Sequence, residues 1–156
     1  MFNIVLLEPR MPGNVGTIGR LAYATGAVLH LIKPYGFGEI TQKEVKRAGL
    51  DYWEFLDVRE YENIEEFKDK NKDARCFYAT TKTTKPYFEA KYLKNDFFFF
   101  GREDAGLPEE LLVYNKEFCV NIPMTNDARS LNIANSVSVI IYDAIRQNYE
   151  EFIELS

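Results

Sequence analysis

The sequence predicts an α/β fold: a single domain with a mostly parallel sheet and helices on both of its faces. Short apolar runs alternate with helical patterns along the chain, which is typical of repeated βα units. The runs are continuous rather than alternating, as expected for parallel strands that are buried on both faces. Residues 97–100, four phenylalanines in a row, are the clearest case. No linker, repeat or low-complexity segment interrupts residues 1–156, so we assign them to one domain.

Each element of this fold follows from a local pattern of residues. Strands are expected where a short apolar run is bounded by polar or turn-forming residues, at 3–7, 28–32, 52–58, 75–80, 96–100 and 118–122. Helices are expected where apolar residues recur every three or four positions, at 16–25, 42–48, 64–71, 108–114 and 131–149. The inward residues of the first helix are expected to be Ile18, Leu21, Ala22 and Ala24. Pro108 suits the first turn of its helix, because the missing N–H is not needed there.

Charge limits the ways in which this chain can bind nucleic acid. The chain is 46% hydrophobic and 28% charged, with a formal net charge of −5. This charge argues against binding by bulk electrostatics. Basic residues nevertheless recur in two groups, at Lys43, Lys46 and Arg47 and at Lys82, Lys85, Lys91 and Lys94. These side chains either form a local basic face for RNA or solvate loops.

Other features indicate a cytoplasmic protein that uses neither a membrane nor a metal. No signal peptide precedes the first strand, and no apolar run approaches the roughly 18 residues that cross a bilayer. Cys76 and Cys119 each lie in an apolar stretch, so we expect buried, reduced thiols, with a disulfide as the alternative. No His, Cys, Asp or Glu residues have the spacing of a metal site. The single His30 lies mid-strand and is expected to be a hydrogen-bonded core residue.

The last predicted helix carries more apolar surface than one sheet-facing side requires. Its main stripe consists of Ala134, Val137, Ile141, Ala144 and Ile145, and further apolar surface comes from Ile133, Val139 and Ile140. Full burial in the core would explain this surface, and so would a subunit interface. We favour the interface, because so short a chain has little core left to surround a helix.

The loop at residues 8–20 is the first of three that follow predicted strands. Ligands of open α/β sheets gather at the carboxyl ends of the strands, where this loop lies. Its glycines give the pattern G-x-x-G-x-x-G, which is neither the dinucleotide fingerprint nor a P-loop. Asn14 either caps the first helix or belongs to a site. Arg20 forms either a surface ion pair or a clamp for a phosphate or a carboxylate.

The second loop lies in residues 97–108. A buried strand runs directly into Gly101, whose lack of a side chain would let a flat ligand approach the backbone. Glu103 then either orients a partner group or caps a turn.

The third loop lies in residues 122–135 and leads into the last helix. Ser130 is the expected N-cap of that helix. Asn132, Asn135 and Ser136 add polar groups to its first turns, which favours contact with a ligand or a partner.

Taken in order, these loops resemble the SPOUT (SpoU–TrmD) superfamily of RNA methyltransferases. The matching patterns are N-x-G-x-x-x-R from Asn14, F-G-x-E-x-x-G-L-P from Phe100 and I-P-M-x-x-x-x-x-S-L-N from Ile122. The likeness spans nearly the whole chain and is strongest to the small TrmL-type enzymes. Those enzymes methylate the ribose 2′ hydroxyl of the wobble nucleotide of tRNA, the cytidine or modified uridine at position 34. Residues 47–53 and 80–82 also look like that subfamily.

The resemblance implies a fold feature that no residue pattern would propose, a deep C-terminal trefoil knot in which the chain passes through one of its own loops. It also implies a homodimer that holds the cofactor S-adenosyl-L-methionine among the knot loops, beside the subunit interface. The positions that match the cofactor-binding ones are Ala79, Gly101, Ile122, Met124, Ser130 and Leu131.

The resemblance further implies which residues are catalytic. Arg20 matches the catalytic arginine, and the residues that match its assistants are Asn14, Glu103, Ser130 and Asn132. Because a guanidinium stays protonated in proteins, the role of general base fits Arg20 poorly. We expect Arg20 to bind the phosphate of the target and to polarise its 2′ hydroxyl. That oxygen has to lie about 3–3.5 Å from the methyl carbon.

The expected substrate is the anticodon loop of tRNA. Larger ribosomal-RNA members of the superfamily carry an additional N-terminal RNA-binding domain that this sequence lacks, and an anticodon loop presents an unpaired, splayed nucleotide. The candidates for holding the stem are Lys43, Lys46 and Arg47 of both subunits. The alternatives are methylation of another tRNA or rRNA position and a non-catalytic RNA-binding module. A Rossmann oxidoreductase is excluded, because the fingerprint is absent and the second strand ends in Lys33 rather than an acidic residue.

Overall fold

The computed structural model describes residues 1–40 and 53–155. These residues form a six-stranded sheet with the strand order β3-β2-β1-β5-β4-β6. The strands are β1 (Asn3–Leu7), β2 (Val28–Ile32), β3 (Val58–Tyr61), β4 (Cys76–Ala79), β5 (Phe97–Phe100) and β6 (Cys119–Val120). Every neighbouring pair in this sheet runs parallel. The predicted parallel sheet is therefore confirmed.

Five α-helices lie in the described ranges. They are α1 (Pro12–Thr25), α2 (Ile64–Lys70), α3 (Glu109–Val113), α4 (Ile133–Gln147) and α5 (Tyr149–Leu155). α1 and α4 contact each other. α1 ends at Gly26, whose φ of 71° is the left-handed conformation that glycine adopts readily at a helix end.

Both faces of the central strands β1 and β5 are buried, as the continuous apolar runs predict. Because side chains alternate along a strand, β1 gives Ile4 and Leu6 to one core cluster and Val5 and Leu7 to the other. The first cluster also contains residues of α1 and α4, and the second contains residues of α2 and α3. The phenylalanines of β5 divide between the two clusters in the same way.

The structure corrects several predicted boundaries. α1 begins at Pro12 rather than at residue 16, because proline fits the first turn, and Met11 rather than Asn14 occupies the cap position. The strand expected at 52–58 is replaced by a short 3₁₀ turn, Trp53–Phe55, and β3 starts only at Val58. The long last helix is divided into α4 and α5 at Asn148. The helix expected at 42–48 lies outside the described residues.

The apolar surface of α4 is covered mainly by its own chain. The buried residues of this helix are Ala134, Val137, Ile140, Ile141, Ala144 and Ile145. Ile140, predicted to add apolar surface outside the main stripe, is only 1% exposed. The interpretation of α4 as too apolar for the core is therefore wrong at this position, because α1 and the sheet together cover more of the helix than the length of the chain suggested.

His30 is fully buried and hydrogen-bonded through both ring nitrogens, as predicted. Its Nδ1 lies 2.8 Å from the hydroxyl of Tyr61, and its Nε2 lies 2.9 Å from Oδ1 of Asn3. Cys76 and Cys119 are free thiols, and burial raises the pKa of Cys76 to about 11. Among the helices of residues 1–40 and 53–155, none is long and apolar enough to cross a membrane.

Candidate functional site

A cavity of about 500 Å³, here called the strand-end cavity, opens at the carboxyl ends of β4, β5 and β6. These strands contribute Ala79, Phe100 and Val120 to its wall. The rest of the wall comes from the loops that follow the three strands and from the first turns of α1 and α4. Because parallel strands end at the same edge of a sheet, residues that are distant in the sequence meet at this cavity.

All but one of the predicted site residues line the strand-end cavity. They are Asn14, Ala79, Gly101, Glu103, Ile122, Met124, Ser130, Leu131 and Asn132. The exception is Arg20, which does not line the cavity of its own chain. It stands on the exposed side of α1, roughly 9 Å further along the helix axis than Asn14. The structure therefore unites the predicted cofactor residues with four of the five predicted catalytic ones.

A chain of hydrogen bonds joins three parts of the cavity wall. The carboxylate of Glu103 accepts from the backbone N–H groups of Arg10, at 2.8 Å, and Met11, at 3.3 Å, and from Nδ2 of Asn14, at 3.3 Å. Oδ1 of Asn14 in turn accepts from Nδ2 of Asn132 at 3.2 Å. Glu103 thus orients a partner group, which was one of its two predicted roles. Its bonds hold the start of α1 against the loop after β5.

Asn132 forms the other end of this series of hydrogen bonds, at the start of α4. Its Oδ1 accepts from the backbone N–H groups of Ala134, at 2.8 Å, and Asn135, at 3.3 Å. Asn132 is therefore the N-cap of α4, and the N-cap predicted at Ser130 is wrong. Both residues can cap a helix, and only the point at which the chain turns helical decides between them. Ser130 instead lies exposed on the cavity wall.

Gly101 is required for a reason other than the predicted one. A Cβ at this position would lie 2.2 Å from the carbonyl carbon of Gly106 and 2.3 Å from the backbone nitrogen of Leu107. The loop folds back here, and the backbone groups of Arg102 and Gly106 hydrogen-bond to each other in both directions. The space at Gly101 is therefore filled by the chain itself and not kept open for a flat ligand, although Gly101 still borders the cavity.

The cavity wall also includes two cations that the sequence did not assign to the site, together with Ser136, whose position agrees with the predicted contact to a ligand or a partner. Lys82 and Arg129 lie exposed on the wall, and Ser136 lies on it one helical turn into α4. The hydroxyl of Ser136 donates to the backbone oxygen of Asn132 at 3.3 Å. The sequence signal for the two cations is their proximity to predicted residues, since Arg129 precedes Ser130 directly and Lys82 follows Ala79 within the same loop.

The loop after β5 also carries a charged pair at the cavity. The guanidinium of Arg102 donates to both carboxylate oxygens of Asp104, at 2.9 and 2.7 Å. This hydrogen bonding lowers the pKa of Asp104 and raises that of Arg102. Within the part of the chain that the structure describes, no three His, Cys, Asp or Glu side chains are grouped closely enough to hold a metal ion.

The wall of the strand-end cavity divides into an apolar part and a polar part. Ala79, Ile122 and Leu131 supply aliphatic surface, while Asn14 and Ser130 supply hydrogen-bonding groups. Such a cavity can enclose a flat apolar group and orient a polar group attached to it. Fold and site together define the chain as an α/β protein with a candidate ligand site built from loops at the carboxyl ends of parallel strands.

Comparisons with known proteins agree with this class and narrow it. Residues 1–142 match the model of the SpoU rRNA Methylase family. A tRNA (cytidine(34)-2'-O)-methyltransferase of Yersinia pestis is 44% identical over 153 residues, which cover 94% of this chain and 94% of that relative. The chain belongs to the SpoU rRNA methylase family.

Two solved structures have the same fold along nearly the whole chain. One, described as "Structural insights into the 2-OH methylation of C/U34 on tRNA", is 39% identical with a TM-score of 0.88, over 96% of this chain and 97% of that one. The other is an AdoMet-bound rRNA methyltransferase from Sinorhizobium meliloti, 27% identical with a TM-score of 0.82. The match to it covers 93% of this chain and 56% of that longer one.

Proposed function

We propose that the chain is a tRNA 2′-O-methyltransferase that methylates the ribose of the wobble nucleotide, the cytidine or modified uridine at position 34 of the anticodon loop. The observation that carries this proposal is the meeting of three separate loops at one cavity, joined by the hydrogen bonds of Glu103, Asn14 and Asn132. A relative and a solved structure that match nearly the whole chain are described by this reaction.

The strand-end cavity fits S-adenosyl-L-methionine in size and in chemistry. Its volume of about 500 Å³ lies within the range of small-molecule sites. The aliphatic side chains of Ala79, Ile122 and Leu131 suit the faces of an adenine ring, and Met124 extends this surface. When bound, the cofactor supplies a methyl group made electrophilic by its sulfonium. The AdoMet-bound structure from S. meliloti supports this choice of cofactor.

The chain's own residues then have to orient the ribose and stabilise negative charge on its 2′ oxygen. Asn14, Ser130 and Asn132 place polar groups on the cavity wall for the first task. Arg20 is assigned the second, because its guanidinium is permanently charged and can bind a phosphate while it donates to the oxygen. Glu103 already accepts three N–H groups, so we assign it the positioning of Asn14 rather than the removal of a proton.

A homodimer is part of the proposal. Arg20 does not line the cavity of its own chain, and it stands on an exposed side of α1. Thr17 and Ala24 are exposed on the same side, so the inward position predicted for Ala24 is wrong. A second copy placed against this side of α1 would bring its own cavity to Arg20. Light scattering that finds only monomers under assay conditions would contradict this part of the proposal.

A knotted C-terminal part, a single domain and a cytoplasmic location complete the proposal. The segment 83–92 is hydrogen-bonded to Asn121 on one side and to Gln147 and Asn148 on the other, which supports a loop that surrounds the passing chain. One continuous sheet carries the described residues, which supports a single domain over 1–156. Free cysteines fit the reducing compartment in which tRNA is modified.

The proposed reaction can be tested with unmodified and cellular tRNA and radiolabelled S-adenosyl-L-methionine. We expect label in tRNA, and mapping of the labelled nucleotide should place it at position 34. Label at another tRNA or rRNA position would replace the proposed target and keep the reaction. Tight RNA binding without any transfer would support the non-catalytic module instead.

Arg20→Ala should abolish methyl transfer. Cofactor affinity should stay within about twofold of the wild type, since Arg20 lies outside the cavity wall of its own chain and is assigned to the phosphate and the 2′ oxygen of the RNA rather than to the cofactor. Transfer is measured as label in tRNA, and cofactor affinity by calorimetry. Thr17→Ala, one turn earlier on the same exposed side of α1, is the matched control and should retain activity. If Arg20→Ala keeps its activity, the catalytic assignment is wrong.

A further inference from the structure

Arg10 is a cation held rigidly beside the strand-end cavity but outside its wall. Its backbone N–H donates to Oε2 of Glu103 at 2.8 Å, and the next residue, Met11, lines the cavity. Its side chain packs over Gly36, where an added Cβ would lie 2.6 Å from Cδ of Arg10. The backbone N–H of Gly36 also donates to the oxygen of Pro9 at 2.9 Å. Two neighbouring loops therefore fix the position of this arginine.

The guanidinium of Arg10 has donors that residues 1–40 and 53–155 leave without a hydrogen-bond partner. Its Nε is buried, and no residue in the described ranges offers it a hydrogen-bond partner. Nη2 lies 3.6 Å from Oε1 of Glu8, which is an ion-pair distance but too long for a hydrogen bond. A buried donor without a partner costs free energy, and an arginine carries five N–H groups. The Arg10 side chain is 28% exposed, so a ligand can reach the Nη groups, which are the donors open to a new partner, while Nε stays buried.

We propose that Arg10 binds a phosphodiester group of the RNA strand next to the target nucleotide. This inference rests on the proposed function and names a contact for its substrate. To place one ribose in the strand-end cavity, the RNA strand has to cross the edge of the cavity, so the flanking phosphates lie outside its wall. Arg10 occupies such a position, and a guanidinium matches the two oxygens of a phosphate.

Three carboxylates near Arg10 have to be compatible with an incoming phosphate. Glu8 is paired with Arg10 only at 3.6 Å, and both side chains are about a third exposed, so this ion pair exchanges easily. The carboxylate of Glu103 is surrounded by three N–H donors. Asp104 is held by both donors of Arg102. Each negative charge is thus matched by its own partner, and only Glu8 competes directly for Arg10.

The test compares Arg10→Met, which keeps the aliphatic stem, with Arg10→Lys, which keeps the charge. Affinity for tRNA is measured by filter binding at several salt concentrations, and affinity for S-adenosyl-L-methionine by calorimetry. We expect Arg10→Met to weaken tRNA binding by about tenfold and to lower the slope of log K against log salt by about one, with Arg10→Lys intermediate. Cofactor affinity should stay within about twofold.

Arg59→Met is the control, because this exposed arginine of β3 pairs with Asp57 at the opposite end of the sheet order. Equal tRNA affinity and salt slope in Arg10→Met and Arg59→Met would overturn the inference. Loss of cofactor binding instead would assign Arg10 to the carboxylate of the cofactor and overturn it as well. If the wild-type protein binds tRNA through Arg10 but transfers no methyl group, the proposed function is wrong and the inference about Arg10 still stands.

Gly36→Ala is a second variant, which keeps the arginine at position 10 but shifts it from its place. Its methyl group would collide with Cδ and Cα of Arg10, at 2.6 and 2.8 Å, and would have to displace both the side chain and the backbone of Arg10. We expect this variant to lose part of the tRNA affinity with unchanged cofactor affinity. Full tRNA affinity in a folded Gly36→Ala variant would contradict a fixed position of Arg10 as the basis of binding.

Discussion

The hydrogen bonds of His30 determine which ring nitrogen carries its proton. Nδ2 of Asn3 donates to the backbone oxygen of Asn95, so Oδ1 of Asn3 has to accept from Nε2 of His30. Nδ1 of His30 is then an acceptor for the hydroxyl of Tyr61, whose oxygen accepts from Nδ2 of Asn71. In this series of hydrogen bonds, every donor meets an acceptor only while His30 is neutral. Burial accordingly lowers the pKa of His30 to about 4.

Acid should destabilise the fold through His30, the single histidine of the chain. The pKa is about 4 in the folded protein, against an ordinary value of 6.5, so the unfolded chain binds the proton first as pH falls. The stabilisation is complete above pH 6.5 and is lost between pH 6.5 and pH 4. Linkage gives a loss of about 2 kcal/mol between pH 7.5 and pH 5.

Urea denaturation of the wild type and of His30→Gln at these two pH values measures this effect. The variant removes the titrating group, and it leaves the carboxylates and their own pH dependence in place. We expect the wild type to lose about 2 kcal/mol more than the variant over the interval. The same loss in both proteins would show that His30 does not carry the acid sensitivity.

At the scale of elements, the packing of α1 on the 3₁₀ turn Trp53–Phe55 depends on a missing side chain. Gly19 of α1 is buried, and a Cβ there would lie 2.7 Å from Cζ3 of Trp53 and 3.4 Å from Cδ1 of Leu56. The indole ring is rigid and packs against the core, so it cannot yield as a flexible side chain would. Gly19 therefore lets the turn approach the helix closely.

Gly19→Ala should destabilise the protein although alanine favours helices. Overpacking costs roughly 1–3 kcal/mol, which exceeds the gain of up to about 1 kcal/mol from helix propensity. Gly13→Ala in the same helix is the matched control, because its Cβ would meet nothing within 4 Å and should leave stability equal or slightly higher. Melting temperature and the emission of Trp53, the single tryptophan, are the readouts. A melting temperature of Gly19→Ala at or above that of Gly13→Ala would contradict this account.

The strands and the cavity residues could be predicted from the sequence where a short run of neighbouring residues determines them. β5 was evident because four successive phenylalanines suit only a doubly covered strand, and the cavity residues were found through three motifs. Choices set by tertiary contact could not be predicted. Ser130 and Asn132 are equally suited to a helix cap, and the reason for Gly101 lies in the fold-back of Gly106 onto it. The unsatisfied donor of Arg10 has no sequence signal, because it depends on what surrounds the side chain.

At the scale of the whole molecule, the segment 83–92 links the last strand to the last long helix. Asn121, directly after β6, donates from Nδ2 to the oxygen of Thr83 at 2.7 Å, and its backbone oxygen accepts from Tyr87 at 2.7 Å. At the other end, Oε1 of Gln147 accepts from the backbone N–H of Tyr92 at 2.9 Å, and its Nε2 donates to the oxygen of Ala90 at 3.0 Å. The two ends of the segment are thus anchored separately.

Gln147→Met should lower the global stability without changing the strand-end cavity. The methionine keeps the volume of the side chain but leaves the N–H of buried Tyr92 and the carbonyl of Ala90 without partners, which costs about 1–3 kcal/mol each for a fully buried group. The nearest cavity residues, Thr80, Thr81 and Lys82, precede the other end of the segment, where Asn121 still holds Thr83, so cofactor affinity should stay within about twofold.

Arg146→Met is the control for Gln147→Met, since Arg146 is exposed and its ion pair with Asp143 contributes little. Urea denaturation measures stability, and calorimetry measures cofactor affinity. We expect a lower midpoint at an unchanged slope for Gln147→Met only, because the native surface is nearly the same and only the free energy of unfolding falls. If Gln147→Met loses cofactor affinity as well as free energy of unfolding, the two anchors of segment 83–92 are not independent.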